Sequence, residues 1–278
     1  MSQIESIVPG VYRFRDLVNV YVLEREGYGL AIELGRGVIL DHLSEIGVKD
    51  LEWVLHTHHH RDLSLGDHLA VDKGAKIAVP AGEAELFEAA ESAWKAWHIY
   101  VNYDLRSRRN APRKSIPVET TLLPDNSFSW RGVTLEVLST PGHTEGSVSL
   151  LIDIDGKRIC FCGETITSPG KIPTIHDLHW GYMSPGSGLS PLIESLDTIR
   201  SQNPDILLPT RGDPMEDVES AIIPLQEKLK RAINHLKPNH DGRKNRDLHQ
   251  VDDNIWFLGC TSYCILLDNG HCLIWDYG

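Results

Sequence analysis

Two histidines and an aspartate lie at alternate positions in the segment VLHTHHHRDLSLGDH: His58, His60 and Asp62. On an extended chain, residues two apart face the same way, so the imidazoles of His58 and His60 can bind one metal ion from a single short segment. A catalytic zinc site uses three protein ligands and leaves one position to water. The spacing therefore predicts a metal site that needs a third ligand from another part of the chain.

The candidate for that third ligand is His143, in the segment STPGHTEGSVS, where it lies in a Pro-Gly loop between two predicted strands. An ion bound by His58, His60 and His143 would lower the pKa of a bound water to about 7 and supply hydroxide near neutral pH. We expect one divalent ion, with zinc as the first candidate and iron and manganese as alternatives, because histidine and carboxylate ligands suit all three. His56 and His59 alternate with His58, which predicts supporting or packing roles for them.

The histidine segment follows a predicted strand, Leu51–Leu55, so it lies at the carboxyl end of that strand, where α/β folds place their sites. Short β-rich runs predict a strand meander over residues 10–34. Helices are predicted over Asp67–Val71 and Glu83–His98. Five β segments from ETTLLP to KRICFCG follow, with a hairpin turn at Asp155-Gly156.

The region 168–190 is rich in glycine, proline and histidine, which predicts a long loop, and loops of that length are usually functional. Four of its residues are candidates for the wall of a binding site, with an ordinary surface loop as the alternative: His176, His179, Trp180 and Tyr182. The pattern after this loop predicts a helix, a strand and a second helix, over Leu189–Ser201, Ile206–Leu208 and Asp217–Leu236.

Four motifs, in order along residues 8–237, resemble those of metallo-β-lactamase-fold proteins. The first motif, T-H-x-H-x-D-H, is matched by Thr57, His58, His60 and Asp62, and the second motif is similar to Thr140–Thr144. The third, a strand that ends in a metal-bridging aspartate, is similar to Phe161–Glu164. The last motif normally reads Gly-His-Gly, and LLPTRGDP resembles it. The resemblance implies an α/β fold, a four-layer αββα sandwich, with the site at the loop-bearing edge of two sheets.

The departures from the family pattern fall on the second metal position. Leu63 and Arg211 stand where the family has histidines, and neither a leucine nor a protonated guanidinium can bind a cation. Glu164 replaces the bridging aspartate, so it is expected to bind the first metal, accept from its water or pair with Arg211. The sequence therefore predicts one metal, on His58, His60 and His143, with Glu164 as a further ligand.

Asp62 and Arg211 are the predicted catalytic residues. With no second metal to bind, Asp62 is expected to orient the water or act as general base. Arg211 is expected to place a fixed positive charge in the vacated space, where it would stabilise an oxyanion or hold an anionic group of the substrate. A structural ion pair between Arg211 and Asp62 or Glu164 is the alternative.

Three functions are compatible with this site. The first is a metal-dependent hydrolase that uses a metal-bound hydroxide on an ester, lactone, thioester or amide. The second is a noncatalytic metal-binding or scaffold domain, because loss of half the site is also how an enzyme decays. The third is a flavodiiron-like redox protein, which shares the fold but needs two irons. We expect a small-molecule substrate, of anionic character if the basic run RSRRNAPRK at 106–114 attracts it rather than forming a solvated face.

Charge and composition exclude several classes of partner. The net charge of -12 repels nucleic acid and anionic membranes. The start MSQIESIVPG has no signal-peptide pattern, and no run approaches 18 apolar residues, so we expect a soluble cytoplasmic protein. Five cysteines, an odd number, favour a reducing compartment, and Cys160 and Cys162 are predicted as core residues rather than a metal pair.

The last 28 residues repeat the layout of residues 8–35: a turn, an aromatic strand, a second strand, a glycine turn and a strand that ends in carboxylate-x-Gly. The predicted organisation is a metallo-β-lactamase-like domain over 1–240, a linker over 241–250, and strands over 251–278 that open a second copy, cut off after its third strand. An unrelated C-terminal hairpin is the alternative. Such strands would need a partner, either a sheet edge or a second chain in a dimer.

Overall fold

The computed structural model describes residues 4–92, 111–173, 188–236, 249–259 and 262–275. The chain divides into two compact units, residues 1–230 and 231–278. Most of the predicted linker, 241–250, lies outside the described residues, so the predicted domain boundaries stay a prediction. Within the described residues, no helix is both long and apolar enough to cross a membrane.

The first sheet of the larger unit has seven strands among the described residues, and they lie side by side in chain order. The first three pairings are antiparallel, and the last three are parallel. The strands are Ile4–Val8 (β1), Val11–Arg15 (β2), Asn19–Arg25 (β3), Tyr28–Ile32 (β4), Asp50–Leu55 (β5), Lys76–Pro80 (β6) and Thr120–Leu122 (β7).

The strands of the second sheet are Ser127–Trp130 (β8), Val133–Ser139 (β9), Val148–Ile154 (β10), Lys157–Gly163 (β11) and Ile206–Pro209 (β12). In the part of the chain that the structure describes, they lie in the order β12-β11-β10-β9-β8, and only the β11–β12 pairing is parallel. The β10–β11 turn falls at Asp155-Gly156, with φ of 50° and 71°. Two successive positive φ values are the geometry of the tight hairpin turn that this dipeptide predicts.

The two sheets pack face to face, and alternate residues along each strand decide which side they cover. Tyr21 and Leu23 of β3 lie in a core cluster shared with the second sheet, for example with Leu150 and Ile152 of β10. Val20 and Val22 point the other way, into a cluster with the segments that cover the outer face of the first sheet. This period-2 alternation makes both faces of the strand apolar, as expected for a sheet buried on both sides.

Helices cover the two outer faces, which completes the predicted αββα sandwich. The α-helices described are Asp67–Asp72 (α1), Ala84–Glu88 (α2), Leu189–Ser201 (α3) and Val218–Leu236 (α4). α1 and α2 contact β6 of the first sheet, and α3 contacts β9 of the second. α4 donates to α3 from the Gln226 side chain to the Ile193 carbonyl, 3.2 Å away.

Most predicted helices are found within one residue of their predicted bounds, and α1 ends one residue later than the predicted Asp67–Val71. α3 begins and ends where it was predicted, and α4 begins one residue later than predicted. The predicted helix Glu83–His98 instead begins as a 3-10 turn, Ala81–Glu83, followed by the short α2. Its tryptophans, Trp94 and Trp97, lie outside the described residues.

The described residues of 249–259 and 262–275 form a four-stranded antiparallel meander, where three strands were predicted. Its strands are His249–Asp252 (β13), Ile255–Gly259 (β14), Ser262–Leu266 (β15) and Cys272–Trp275 (β16). The first hairpin has a register shift between Gln250 and Asp252, and the β1–β2 hairpin has one between Ser6 and Val8. The interpretation as the start of a second copy stays a prediction, and residues 276–278, on which the proposed alignment ends, lie outside the described residues.

Candidate metal centre

The candidate ligands reach one edge of the two sheets from three connections. His58 and His60 directly follow β5, His143 lies between β9 and β10, and Glu164 directly follows β11. Gly142 shapes the loop that carries His143: its φ is 140°, and a Cβ there would lie 2.7 Å from the Leu192 Cα in α3. Only glycine tolerates both the conformation and the close approach.

Three imidazoles form a near-equilateral group. The ring centroids of His58, His60 and His143 are 4.6, 4.7 and 4.8 Å apart, and each side chain is buried. The Glu164 Oε2 atom lies 3.0 Å from His143 Nε2. Among the described residues, these four side chains form the group of metal-ligating residues whose ligand atoms all lie within 4.8 Å of one another.

This group fits a divalent metal ion. His143 Nε2 and His60 Nδ1 are 3.1 Å apart, close to the separation of about 3.3 Å expected for two nitrogens bound tetrahedrally to one zinc. His58 Nε2 is buried and has no hydrogen-bond partner among the described residues. A buried lone pair without a partner costs free energy, and a cation at the centre of the cluster would remove that cost.

The ionisation states of the cluster also suit a cation. Burial and the neighbouring imidazoles lower the pKa values of His58 and His60 well below the ordinary value, so both rings are neutral and carry a free lone pair. Burial opposes ionisation of Glu164, but His143 and Arg211 outweigh it and lower the pKa of that carboxyl. His58 and His60 therefore present neutral imidazoles and Glu164 presents a carboxylate, the protonation states that metal binding requires of such ligands.

A second carboxylate, Glu33, fixes the orientation of His58 through Thr57. Glu33 Oε1 accepts hydrogen bonds from the Thr57 N–H and the Thr57 hydroxyl, and that hydroxyl lies 3.1 Å from His58 Nδ1. Since the hydroxyl hydrogen goes to Glu33, the Thr57 oxygen accepts from His58 Nδ1–H. This tautomer leaves the lone pair on Nε2, the atom that faces the cluster.

His56 and His59 lie outside the cluster and bind carboxylates instead. His56 lies between Glu33 and Asp67, with 2.8 Å contacts to both. Burial would lower the pKa of His56, but the two carboxylates outweigh it and raise the pKa to about 10. His59 Nδ1 lies 3.0 Å from Glu83 Oε2. Both histidines therefore support the segment that carries the ligands.

Arg211 pairs with both remaining carboxylates of the predicted site. Its Nη2 donates to Asp62, and its Nε donates to Glu164 Oε1 over 2.9 Å. Burial and the Glu164 carboxylate raise the pKa of Asp62, although Arg211 opposes this. The guanidinium thus lies between the two carboxylates that the family pattern assigns to a second metal, while the Leu63 side chain is fully buried.

Of the other predicted residues, some lie outside the described part of the chain and two are core thiols. The loop candidates His176, His179, Trp180 and Tyr182 lie outside the described residues, as do positions 106–110 of the basic run. Cys160 and Cys162 are buried free thiols in β11, and burial raises their pKa values.

Three carboxylates that support the site were not predicted from the sequence. Glu33, Asp67 and Glu83 are buried side chains that bind the histidines around it. Each is separated in sequence from the partner histidine by 11 residues or more. The available signal is weak: Glu33 and Glu83 both lie shortly after an apolar strand, at the same sheet edge as His58.

Removal of the metal should destabilise the protein. An ion that binds only the folded state at a thousand times its Kd adds about 4 kcal/mol of stability, which corresponds to a rise in Tm of about 10 °C for a chain of this size. We expect zinc to raise the Tm of chelator-treated protein by that amount. Magnesium, which prefers oxygen ligands, serves as the control and should leave the Tm unchanged. Equal Tm values with and without zinc would contradict the assignment of this cluster as a metal site.

Comparisons with known proteins agree with this fold. The sequence profile of the Metallo-beta-lactamase superfamily matches residues 13–211. The structure is similar to that of a metallo-beta-lactamase family protein from Thermus thermophilus, with a TM-score of 0.58, 20% identity and 83% of each chain covered. It is also similar to a Cronobacter sakazakii metallo-beta-lactamase with a HARLDQ motif, with a TM-score of 0.59, 18% identity and coverage of 88% of this chain and all of that one.

The matches to curated relatives cover smaller parts of those proteins. A hydroxyacylglutathione hydrolase of Shewanella sp. (strain ANA-3) is 28% identical over 138 residues, 48% of this chain and 41% of that protein. An atrochrysone carboxyl ACP thioesterase of Passalora fulva is 26% identical over 217 residues, 76% of this chain and 52% of that protein. The chain thus spans about half the length of these relatives.

Proposed function

Because the chain belongs to the metallo-beta-lactamase superfamily, we propose that it is a metal-dependent hydrolase that cleaves a thioester with a single divalent ion, zinc. The observation that supports this most is the buried group of His58, His60, His143 and Glu164, in which the lone pair of His58 Nε2 faces the centre without a partner among the described residues. A bound divalent ion supplies positive charge that lowers the pKa of water and polarises a carbonyl.

Asp62 and Arg211 are the residues proposed to act on water and substrate. The Asp62 side chain is 29% exposed, so its carboxylate can accept a proton from a water molecule at the site. The Arg211 guanidinium is 38% exposed and fixed by two carboxylates. A positive charge held in this way can stabilise an oxyanion or bind an anionic group of a small-molecule substrate.

The names of the relatives support a thioester as the substrate. An acylglutathione and an acyl carrier protein thioester both contain an acyl–sulfur bond, and these are the substrates that the two relatives' names give. A thiol has a pKa of about 8.5, so thiolate leaves without prior protonation. An amide would need a general acid for its amine. We therefore rank thioesters above esters, lactones and amides.

A noncatalytic metal-binding domain is the second candidate, and one observation favours it. Asp62 already pairs with Arg211, so its lone pairs are partly engaged. A flavodiiron-like redox function has less support, because it needs two irons and Arg211 lies between the carboxylates of the second position.

The Asp62→Asn variant tests the proposed function. We expect metal content to stay near that of wild type, because Asp62 is not in the ligand group, while turnover of a thioester falls about a hundredfold, a typical contribution of a general base. Elemental analysis measures the metal content, and a chromogenic assay of the released thiol measures the turnover. Asp153→Asn, at an exposed aspartate that also pairs with an arginine, is the control and should change neither.

One outcome would contradict the hydrolase function, and another would contradict the role of Asp62. If metal-loaded wild type hydrolyses no thioester, ester, lactone or amide, the noncatalytic candidate is favoured. If Asp62→Asn keeps full turnover, Asp62 is not the base.

A further inference from the structure

We infer that Glu83 is a positioning residue that holds the two ligand-bearing loops at the separation the metal requires. The inference rests on the proposed metal site and adds to it a residue that touches neither metal nor ligand side chain. Its basis is the set of contacts that one buried carboxylate makes with both loops.

Glu83 lies where the first sheet meets the site. It ends the 3-10 turn Ala81–Glu83 that follows β6, and β6 pairs in parallel with β5, whose carboxyl end carries His58 and His60. Parallel neighbours leave a sheet at the same edge. The Glu83 side chain is therefore brought beside the histidine segment, and it is buried there.

One carboxylate oxygen of Glu83 binds the segment between the two ligands. Its Oε2 accepts from the His59 N–H over 2.7 Å and lies 3.0 Å from His59 Nδ1. His59 lies between His58 and His60 in the chain. A hydrogen bond that fixes the main chain at His59 therefore also fixes the Cα positions of both ligand residues.

The other oxygen binds the loop that carries the third ligand. Glu83 Oε1 accepts from the Gly146 N–H over 3.1 Å, and Glu83 also hydrogen-bonds the Thr144 side chain, next to His143. This loop joins β9 and β10 of the second sheet. The carboxylate thus connects ligand loops that come from different sheets.

The packing around Glu83 leaves little room for adjustment. A Cβ at Gly146 would lie 2.4 Å from the Glu83 Cγ, so the glycine loop lies directly against the side chain. Burial opposes ionisation of Glu83, but His59, Thr144 and the Gly146 N–H outweigh it and lower the pKa of the carboxyl. An ionised carboxylate accepts on both oxygens, whereas glutamine would turn an NH2 group toward one of these donors.

The test is metal affinity measured apart from activity. In Glu83→Gln we expect zinc affinity, from competition with a chromogenic chelator, to fall about 10- to 100-fold, the usual effect of losing a group that supports metal ligands. The Tm of the metal-free variant should stay within a few degrees of wild type. Glu119→Gln changes an exposed carboxylate that pairs with Lys76 on the same sheet, and it should keep wild-type affinity.

Gly146→Ala is a second variant, because it displaces the same contact from the other side, and we expect it to weaken zinc binding as well. Zinc affinity within twofold of wild type in folded Glu83→Gln or, if that variant does not fold, in Gly146→Ala, would overturn the inference. An equal loss of affinity in Glu119→Gln would also overturn it. Wild type that binds zinc but hydrolyses nothing refutes the proposed function alone, whereas wild type that binds no zinc refutes both.

Discussion

Replacement of His143 by alanine is expected to reduce the metal content from about one ion per chain to nearly none and to reduce turnover by at least a thousandfold. The loss of turnover follows from the loss of the ion, because without the metal the pKa of water rises far above the value of about 7 that a bound ion gives it. His143 is the proposed imidazole ligand from the loop between β9 and β10 of the second sheet, and its Nε2 contacts both His60 Nδ1 and Glu164 Oε2.

The His143→Ala variant removes this imidazole while it leaves the β5 segment unchanged. His58 and His60 would still face each other, but two imidazoles and one carboxylate hold a divalent ion more weakly than the complete set. Elemental analysis of the purified variant and the thioester assay measure the effect. His271→Ala, at an exposed histidine between β15 and β16, is the control. Normal metal content in His143→Ala would refute the ligand assignment.

The second large effect concerns the number of metal ions. We expect about one per chain in wild type, and two in the double variant Leu63→His, Arg211→His. In wild type, the Arg211 guanidinium hydrogen-bonds both carboxylates of the second position. A further unit of positive charge 4 Å from it would cost about 4 kcal/mol near a protein surface. We therefore expect the guanidinium to disfavour a second divalent cation at this position.

The double variant removes that charge and supplies two imidazoles. The Leu63 carbonyl accepts from the N–H groups of Leu34 and Gly35, and these main-chain contacts do not depend on the side chain, so the loop should keep its course. Asp62 and Glu164 would then be free to bind a second ion. Metal content by elemental analysis is the measurement, and Arg15→His, an exposed arginine that pairs with Asp213, is the control. Two tightly held ions in wild type, or one in the double variant, would contradict this prediction.

Local patterns in the sequence were sufficient for part of the site and part of the fold. The alternate spacing of His58 and His60 after a strand predicts two imidazoles on one side, because that depends only on the pleat of an extended chain. The bounds of α3 and the hairpin at Asp155-Gly156 likewise follow from periodicity and turn chemistry within a few residues. The fold could be predicted because the family's four motifs occur in this sequence in the family order.

Tertiary structure decided which distant groups meet. β7 immediately precedes β8 in the chain, yet it pairs with β6 and belongs to the first sheet. The strand pattern of ETTLLP does not indicate which sheet the strand joins. Arg211 was open to a role toward substrate or an internal ion pair, and the structure shows it paired with Asp62 and Glu164. Glu83 binds Gly146, 63 residues away, because two sheets pack against each other. Such contacts depend on long-range packing. A buried carboxylate must be hydrogen-bonded, and its partner is the donor that the fold brings near it. Residue spacing along the chain does not specify that donor.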